Sequence, residues 1–188
     1  MTLRRELAAL LQDRGYRGKH GAFGLRLDES FSFVVGVGPL NRRTDIHPAV
    51  GLRCHPVEDS MTSLRGLPDA PFAATIGANV GYVIDGEYRY FQPPTVATEV
   101  LDAIDAGLRV LDRYRSLEAI PRGLDEVRAA DANPSTGYRR VVVYYLIGDA
   151  ADMEEALKLA RTEYMKNPGD EIAHQFIEFE KRLRASAP

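Results

Sequence analysis

Between Phe23 and Cys54 apolar side chains recur at every second position. Phe23, Leu25 and Leu27 alternate with small or charged residues, and the alternation resumes after Asp28-Glu29-Ser30 at Phe31, Phe33, Val35 and Val37. A period of two marks strands with one buried face, so this stretch predicts an antiparallel hairpin. Val50, Leu52 and Cys54, set against Gly51 and Arg53, predict a third strand once Gly38-Pro39 and Asn41-Arg42-Arg43-Thr44 have turned the chain. Upstream, Leu3, Leu7, Leu10 and Leu11 fall at helical spacing. They predict an amphipathic helix over the first fifteen residues, stopped by Gly15 and lying on the sheet. Tyr16 to Gly21 reads as a basic connection.

Pro56 opens a short helix with Val57, Met61 and Leu64 on one face, closed by Gly66 and Pro68. Phe72 to Val80 and Tyr82 to Ile84 read as further strands. Asp85-Gly86 reads as a two-residue hairpin turn whose return strand is Tyr88-Arg89-Tyr90-Phe91, with Ile84 facing Glu87, Val83 facing Tyr88 and Tyr82 facing Arg89. After Pro93-Pro94, the stripe Val96, Val100, Ile104, Leu108 and Leu111 predicts a long helix. Ser116-Leu117-Glu118-Ala119 starts another, regular only from Pro121, which lacks a backbone donor, and running to about Ala130. Residues 131–137 read as a loop.

For residues 139–147, Val141-Val142-Val143-Tyr144-Tyr145 favours a strand by propensity, while the sequel favours a helix; helix is the expectation and strand the alternative. Two further helices follow, one through Met153, Ala156, Leu157, Ala160 and Tyr164, the other after Asn167-Pro168-Gly169-Asp170 through Ile172, Phe176, Phe179 and Leu183. This order is similar to part of a tetratricopeptide-type hairpin array, but a single copy falls short of a solenoid. The expected fold class is α+β. An antiparallel sheet of about five to six strands packs with an N-terminal helix and a long central helix in a domain over residues 1–130, and a helical extension over 138–188 packs on it.

Composition changes this picture little. Of 188 residues, 45% are hydrophobic and 27% charged, which is ordinary globular usage rather than disorder. One cysteine, Cys54, allows no internal disulfide and points to a reduced, cytoplasmic protein. Charges at Arg4, Arg5, Glu6, Asp13 and Arg14 break up any signal-peptide core, and the apolar run Val141 to Gly148 is too short to cross a bilayer. Net charge is −3, but the first 53 residues hold 9 Lys/Arg against 5 Asp/Glu and the rest 15 against 22. That asymmetry orients a charged partner, within the reach that salt screening leaves.

Catalytic and metal motifs are weak. On one extended strand His47 and His55 would lie about 26 Å apart on the same face, with Cys54 on the other, so these three do not converge on one metal. His20 reads as a solvated loop residue and His174 as a surface one. Gly36-Val37-Gly38 lacks the third glycine and the helix of a dinucleotide fingerprint, and no phosphate loop or nucleophile elbow is present. Carboxylate pairs such as Asp102 with Asp105 and Glu154 with Glu155 fall on helices, where solvation is their usual role. No cofactor or metal is expected. Arg42 and Arg43 in a sheet-edge loop, with Tyr88 and Tyr90 on a strand, are the residue types that dominate protein interfaces. They are the candidate partner-binding residues. A small hydrolase or transferase with His47 or His55 as base is the alternative, and a nucleic-acid binder using the basic N-terminal half a third, less favoured for want of a recognition helix or zinc module.

Several segments together resemble a family of small bacterial proteins found beside polymorphic toxins as immunity proteins. They are Arg14-Gly15-Tyr16-Arg17 after the first helix, Val50-Gly51-Leu52-Arg53, and Glu99-Val100-Leu101 through Leu111-Asp112-Arg113-Tyr114 with Ser116-Leu117. The resemblance covers about residues 1–130 and rests on pattern rather than a signature motif. It implies an α+β fold and a non-enzymatic function, the neutralisation of a cognate toxin through protein binding. It carries over no site residue, and the helical extension after Gly137 departs from it.

Overall fold

The computed structural model describes residues 2–39, 45–68, 70–92, 94–127 and 135–186. They form two compact units, one from the described residues of Met1–His55 and Pro71–Asp131, the other from those of Pro56–Ala70 and Ala132–Pro188. The fold is α+β, with one five-stranded antiparallel sheet and eight α-helices among the described residues.

The first unit is a meander. Strands β1 (Arg17–Lys19), β2 (Ala22–Arg26), β3 (Phe31–Pro39), β4 (Ile46–Cys54) and β5 (Ile76–Asn79) lie in sequence order. Strand β1 occupies the segment expected to be a connection. His20 and Gly21 both take positive φ, 56° and 86°, between the paired residues Lys19 and Ala22, so the two-residue turn closes a hairpin there. At the next corner the Asp28 carboxylate accepts hydrogen bonds from the Ser30 and Phe31 amides, both at 2.8 Å, and sets the expected turn.

Register sorts the side chains. Val35 faces Val50 and Phe33 faces Leu52, placing Val35, Val37, Val50, Leu52, Cys54 and Ile76 on one buried face. Helices α1 (Leu3–Asp13) and α4 (Ala97–Leu111) supply Leu7, Leu11, Val100, Ile104, Leu108 and Leu111 to this core. Val96, expected in that stripe, precedes α4 and is exposed. Gly107 lets α4 approach closely, since a Cβ there would stand 2.9 Å from Val50 Cγ2. Two 3-10 turns, Asp112–Tyr114 and Leu117–Ala119, lead into α5 (Ile120–Glu126). The end expected near Ala130 lies outside the described residues.

The expected strands after Phe72 are corrected in part. Only Ile76–Asn79 forms a strand, the expected return strand is reduced to a single bridge from Phe91 to Ile46, and Val80–Ile84 forms a short helix, α3. Asp85-Gly86 closes that helix instead of a hairpin, and the pairs Ile84 with Glu87, Val83 with Tyr88 and Tyr82 with Arg89 do not form. The Asp85 and Gly86 amides both reach back to the Gly81 carbonyl, at 2.9 and 3.2 Å, and Gly86 has φ 81°. A left-handed glycine after a helix and a hairpin glycine make the same conformational demand. Asn79 decides between them. Its Oδ1 accepts from the Gly81 amide at 3.0 Å and the Arg89 amide at 2.8 Å, so one side chain caps α3 and holds the returning chain.

In the second unit, α2 (His55–Arg65) buries Val57, Met61 and Leu64 as its spacing requires. Residues 139–147 are helical, within α6 (Thr136–Ile147), and Val141, Val142 and Val143 are all fully buried. Burial of three consecutive residues on a helix makes the β-branched run compatible with it. Thr136 and Gly137, expected in a loop, open this helix; residues 131–134 lie outside the described residues. Asp149 and Asp170 cap α7 (Ala150–Tyr164) and α8 (Glu171–Ser186) through hydrogen bonds to the Asp152 and Ala173 amides. Phe176, Phe179 and Leu183 are buried as expected, whereas Ile172 is half exposed.

Candidate binding surface

Backbone pairing brings two distant segments together at the start of β4. The amides and carbonyls of Ile46 and Phe91 exchange two hydrogen bonds at 2.9 Å, and Asn79 Nδ2 donates to the Arg89 carbonyl at 2.8 Å and the Pro48 carbonyl at 3.3 Å. Residues 87–91 are therefore fixed alongside β4 without a ladder. Extended backbone sends Tyr88 and Tyr90 to the same side, where both meet His47.

The rings form a connected array. His47 lies 5.8 Å from Tyr90 with 24° between the planes, and 5.6 Å from Tyr88. The Tyr88 hydroxyl is 2.7 Å from His47 Nδ1, and Tyr82 meets the Tyr88 ring edge-on at 5.7 Å. Tyr88 is 47% and Tyr90 51% exposed. Asp85 and Arg89 form an ion pair on the same segment. Two rings are thus held by neighbours yet keep half their surface for a visitor, an arrangement suited to recognition.

Beyond His47 lies the sheet face opposite the helices. Register aligns Arg26, Ser32 and Arg53 in one row, Arg17, Gly24, Val34, Gly51 and Gly77 in the next, and Ala22, Gly36, Ala49 and Asn79 in a third, with Gly38 facing His47 beyond. The segment Phe72–Thr75 covers the first two rows. A Cβ on Gly24 would stand 3.5 Å from the Phe72 ring, one on Gly51 would collide with Ala74, and Arg53 donates to the Ala73 carbonyl at 3.2 Å. Of the third row, Asn79 is taken up by its bonds to residues 87–91, while Ala22, Gly36 and Ala49 stay open with Gly38 beyond them. Ala49 and Gly38 are exposed, and no described atom lies within 4 Å of a Cβ on Gly38.

The other candidate residues separate. Arg42 and Arg43 lie outside the described residues, in the stretch that joins β3 to β4. His55 sits at the far end of β4 from His47, with its Nε2 2.9 Å from both Ser32 Oγ and Arg26 Nη1. A guanidinium only donates, so Nε2 carries no proton there and accepts. Ser32 is buried and this nitrogen is already shared, so the Ser32–His55 contact works as a tie between the β2–β3 corner and the end of β4. Cys54 is buried, its amide donating to Thr75 Oγ1 at 2.9 Å. Among the described residues no group of three His, Cys, Asp or Glu side chains could hold a metal ion, and no helix is long and apolar enough to cross a membrane. His20 and His174 are exposed.

Sequence reasoning singled out Tyr88 and Tyr90 for their type but missed Asn79 and the place of His47 between the rings. An Asn two residues before Gly81 was the available signal, since that spacing suits a side-chain cap on the Gly81 amide. Comparison of the chain with family models, curated proteins and solved structures finds no match.

Proposed function

We propose that this chain is a non-enzymatic protein-binding module, an immunity protein that neutralises a bacterial toxin by covering its active or docking surface. The observation that carries the reading is the pair Tyr88 and Tyr90, half exposed and held in place by His47. Tyrosine offers a large amphipathic contact at low entropic cost, and a ring already fixed by its neighbours has less freedom to lose on binding. Arg42 and Arg43, the other residues expected from the sequence to bind a partner, lie outside the described residues. The engagement of His47 with Tyr88 and of His55 with Ser32 and Arg26 supports binding over base catalysis. The toxin-related part of the reading draws on the resemblance of segments within residues 1–130.

Affinity capture with the tagged chain and with a Tyr88→Ala/Tyr90→Ala variant tests it. One protein should be retained in near-equal amount by the original chain and lost by the variant. Expressed alone, that protein should arrest growth, and co-expression of this chain should relieve the arrest. Capture of no protein sinks the binding reading, and equal capture by the variant removes the two tyrosines from the interface. Turnover of phosphoesters, esters or glycosides that disappears in His47→Ala or His55→Ala replaces the reading with the enzymatic one.

A further inference from the structure

We propose that the open part of the sheet, between Phe72 and the His47, Tyr88 and Tyr90 rings, receives an extended acidic segment of a protein partner. This rests on the protein-binding reading and names the chemistry of the partner. Charge is the first argument. The described strands carry no Asp or Glu, and the cations at the β1 end of the open rows are Arg17, paired with Gly24, and Lys19, paired with Ala22 in the third row. A sheet surface with cations and no strand carboxylate favours an anionic visitor and repels a basic one.

Shape gives the second. The open rows are floored by Ala22, Gly36, Gly38 and Ala49, whose short side chains let another main chain lie close to the sheet. The floor ends in rings at β4 and leads to exposed Arg17 on β1. Three strand spacings, about 14 Å, and an offset of four residues along the strands, about 13 Å, put these ends about 19 Å apart, which about six extended residues span. The visitor is therefore polar in a defined sense, with its carboxylates over β1 and an apolar or aromatic side chain against Tyr88 and Tyr90.

The same features argue for protein over nucleic acid. Phosphate-backbone binding draws its affinity from some 6–10 simultaneous contacts. Of the strand cations, Arg53 is buried against the Ala73 carbonyl, and Arg26 is occupied by the Asp28 and Glu29 carbonyls and His55. The whole chain has net charge −3. A short carboxylate-bearing segment matches this local charge better than a polyphosphate.

The test is an amide-shift titration of the isotope-labelled full chain with three probes. They are the capped peptide Glu-Glu-Ser-Gly-Leu-Tyr, its counterpart with Lys-Lys in place of Glu-Glu, and a ten-nucleotide thymidine strand. The acidic peptide should shift the Ala22, Gly36, Ala49 and His47 amides saturably. Ala49→Phe, a change at an exposed position that fills the floor, should abolish the shifts. Arg17→Glu should weaken the acidic peptide about tenfold and turn the preference toward the lysine peptide. Equal response to both peptides, shifts centred elsewhere, or no saturable shift at millimolar peptide overturns the proposal. So do thymidine-strand shifts at these amides, which reassign the face to nucleic acid, and concentration-dependent broadening there without any probe, which assigns it to a second copy of the chain. A protein captured through Tyr88 and Tyr90 that ignores both Ala49→Phe and Arg17→Glu leaves the binding reading intact and removes only the acidic segment.

Discussion

Glu58 and Arg139, 81 positions apart, meet in a bidentate pair, with Arg139 Nε 2.7 Å from Oε1 and Nη2 3.1 Å from Oε2, both side chains less than a tenth exposed. The pair ties α2 to α6 across the interior of the helical unit. Desolvation offsets most of the attraction in such a pair, but removing one partner strands the other charge. Glu58→Gln should therefore cost about 3–5 kcal/mol, read from denaturant midpoints. Replacing both residues with methionine should recover most of that loss. If the double variant is no more stable than Glu58→Gln, the stranded-charge explanation is wrong.

Gly137 and Tyr164 set helix propensity against packing. A Cβ on Gly137 would stand 2.7 Å from the Tyr164 hydroxyl, and that ring is wedged against Tyr138 at 4.6 Å and Phe176 at 5.4 Å. Burial pushes the Tyr164 phenol well above its ordinary pKa, with the Glu163 charge adding to the shift; the phenol stays neutral and its oxygen accepts from the Gly137 and Tyr138 amides at the start of α6. Propensity alone predicts that Gly137→Ala gains about 1 kcal/mol. The contact predicts a loss of about 1–3 kcal/mol. We expect the loss, and expect Tyr164→Phe to shrink it in a double-mutant cycle. A stabilised Gly137→Ala variant would show that the ring yields.

On the surface of the same unit, Arg184 bridges Glu154 and Glu180, and Arg161 also reaches Glu180. Hydrogen bonds from Arg184 hold the Glu154 carboxyl below its ordinary pKa. Burial would raise Glu180, but Arg161 and Arg184 outweigh it and hold that group low as well. Carboxylates with folded pKa values below the unfolded value of 4.5 stabilise the fold above that pH, and the contribution disappears as pH falls through the folded values. Solvent screening keeps exposed pairs below about 1 kcal/mol each. Arg184→Gln should lower the thermal midpoint by about 2–4 °C at neutral pH, and by progressively less as pH falls below 4.5. A gap that persists at acid pH would assign the effect to lost packing of the arginine stem.

Local pattern made much of the fold legible. The alternation through Phe31–Val37 and Val50–Cys54 was enough to place β3 and β4, because a period of two on a half-buried strand has few other readings. Positive-φ positions were harder. Asp85-Gly86 carried the stronger sequence signal for a hairpin, yet the observed two-residue turn uses His20-Gly21, whose first residue is not a usual turn former. What separates them is Asn79, whose four hydrogen bonds reach the Gly81 and Arg89 amides and the Pro48 and Arg89 carbonyls. Such tertiary bonds leave no local period. The Glu58–Arg139 pair was illegible for the same reason, and Tyr88 and Tyr90 were legible by type but not by their contact with His47.

Asn79 accordingly controls the candidate surface without being part of it. Removing its side chain takes away the cap on α3 and both bonds to Arg89, leaving residues 87–91 held by the Ile46–Phe91 pairing. At about 1 kcal/mol for each lost bond, Asn79→Ala should cost about 2–4 kcal/mol. Gly81→Ala attacks the same join differently, because its Cβ would stand 2.1 Å from the Glu87 carbonyl oxygen and 2.7 Å from the Arg89 Cβ. That collision involves backbone, so residues 87–91 must move. Both variants should keep the sheet and lose the Tyr88 to His47 contact, seen as a changed His47 ring environment by NMR and faster proteolysis after Arg89. Binding that depends on Tyr88 and Tyr90 should weaken in parallel. If the His47 signals stay unchanged in both variants, the rings are positioned by their own stacking and Asn79 serves only to cap α3.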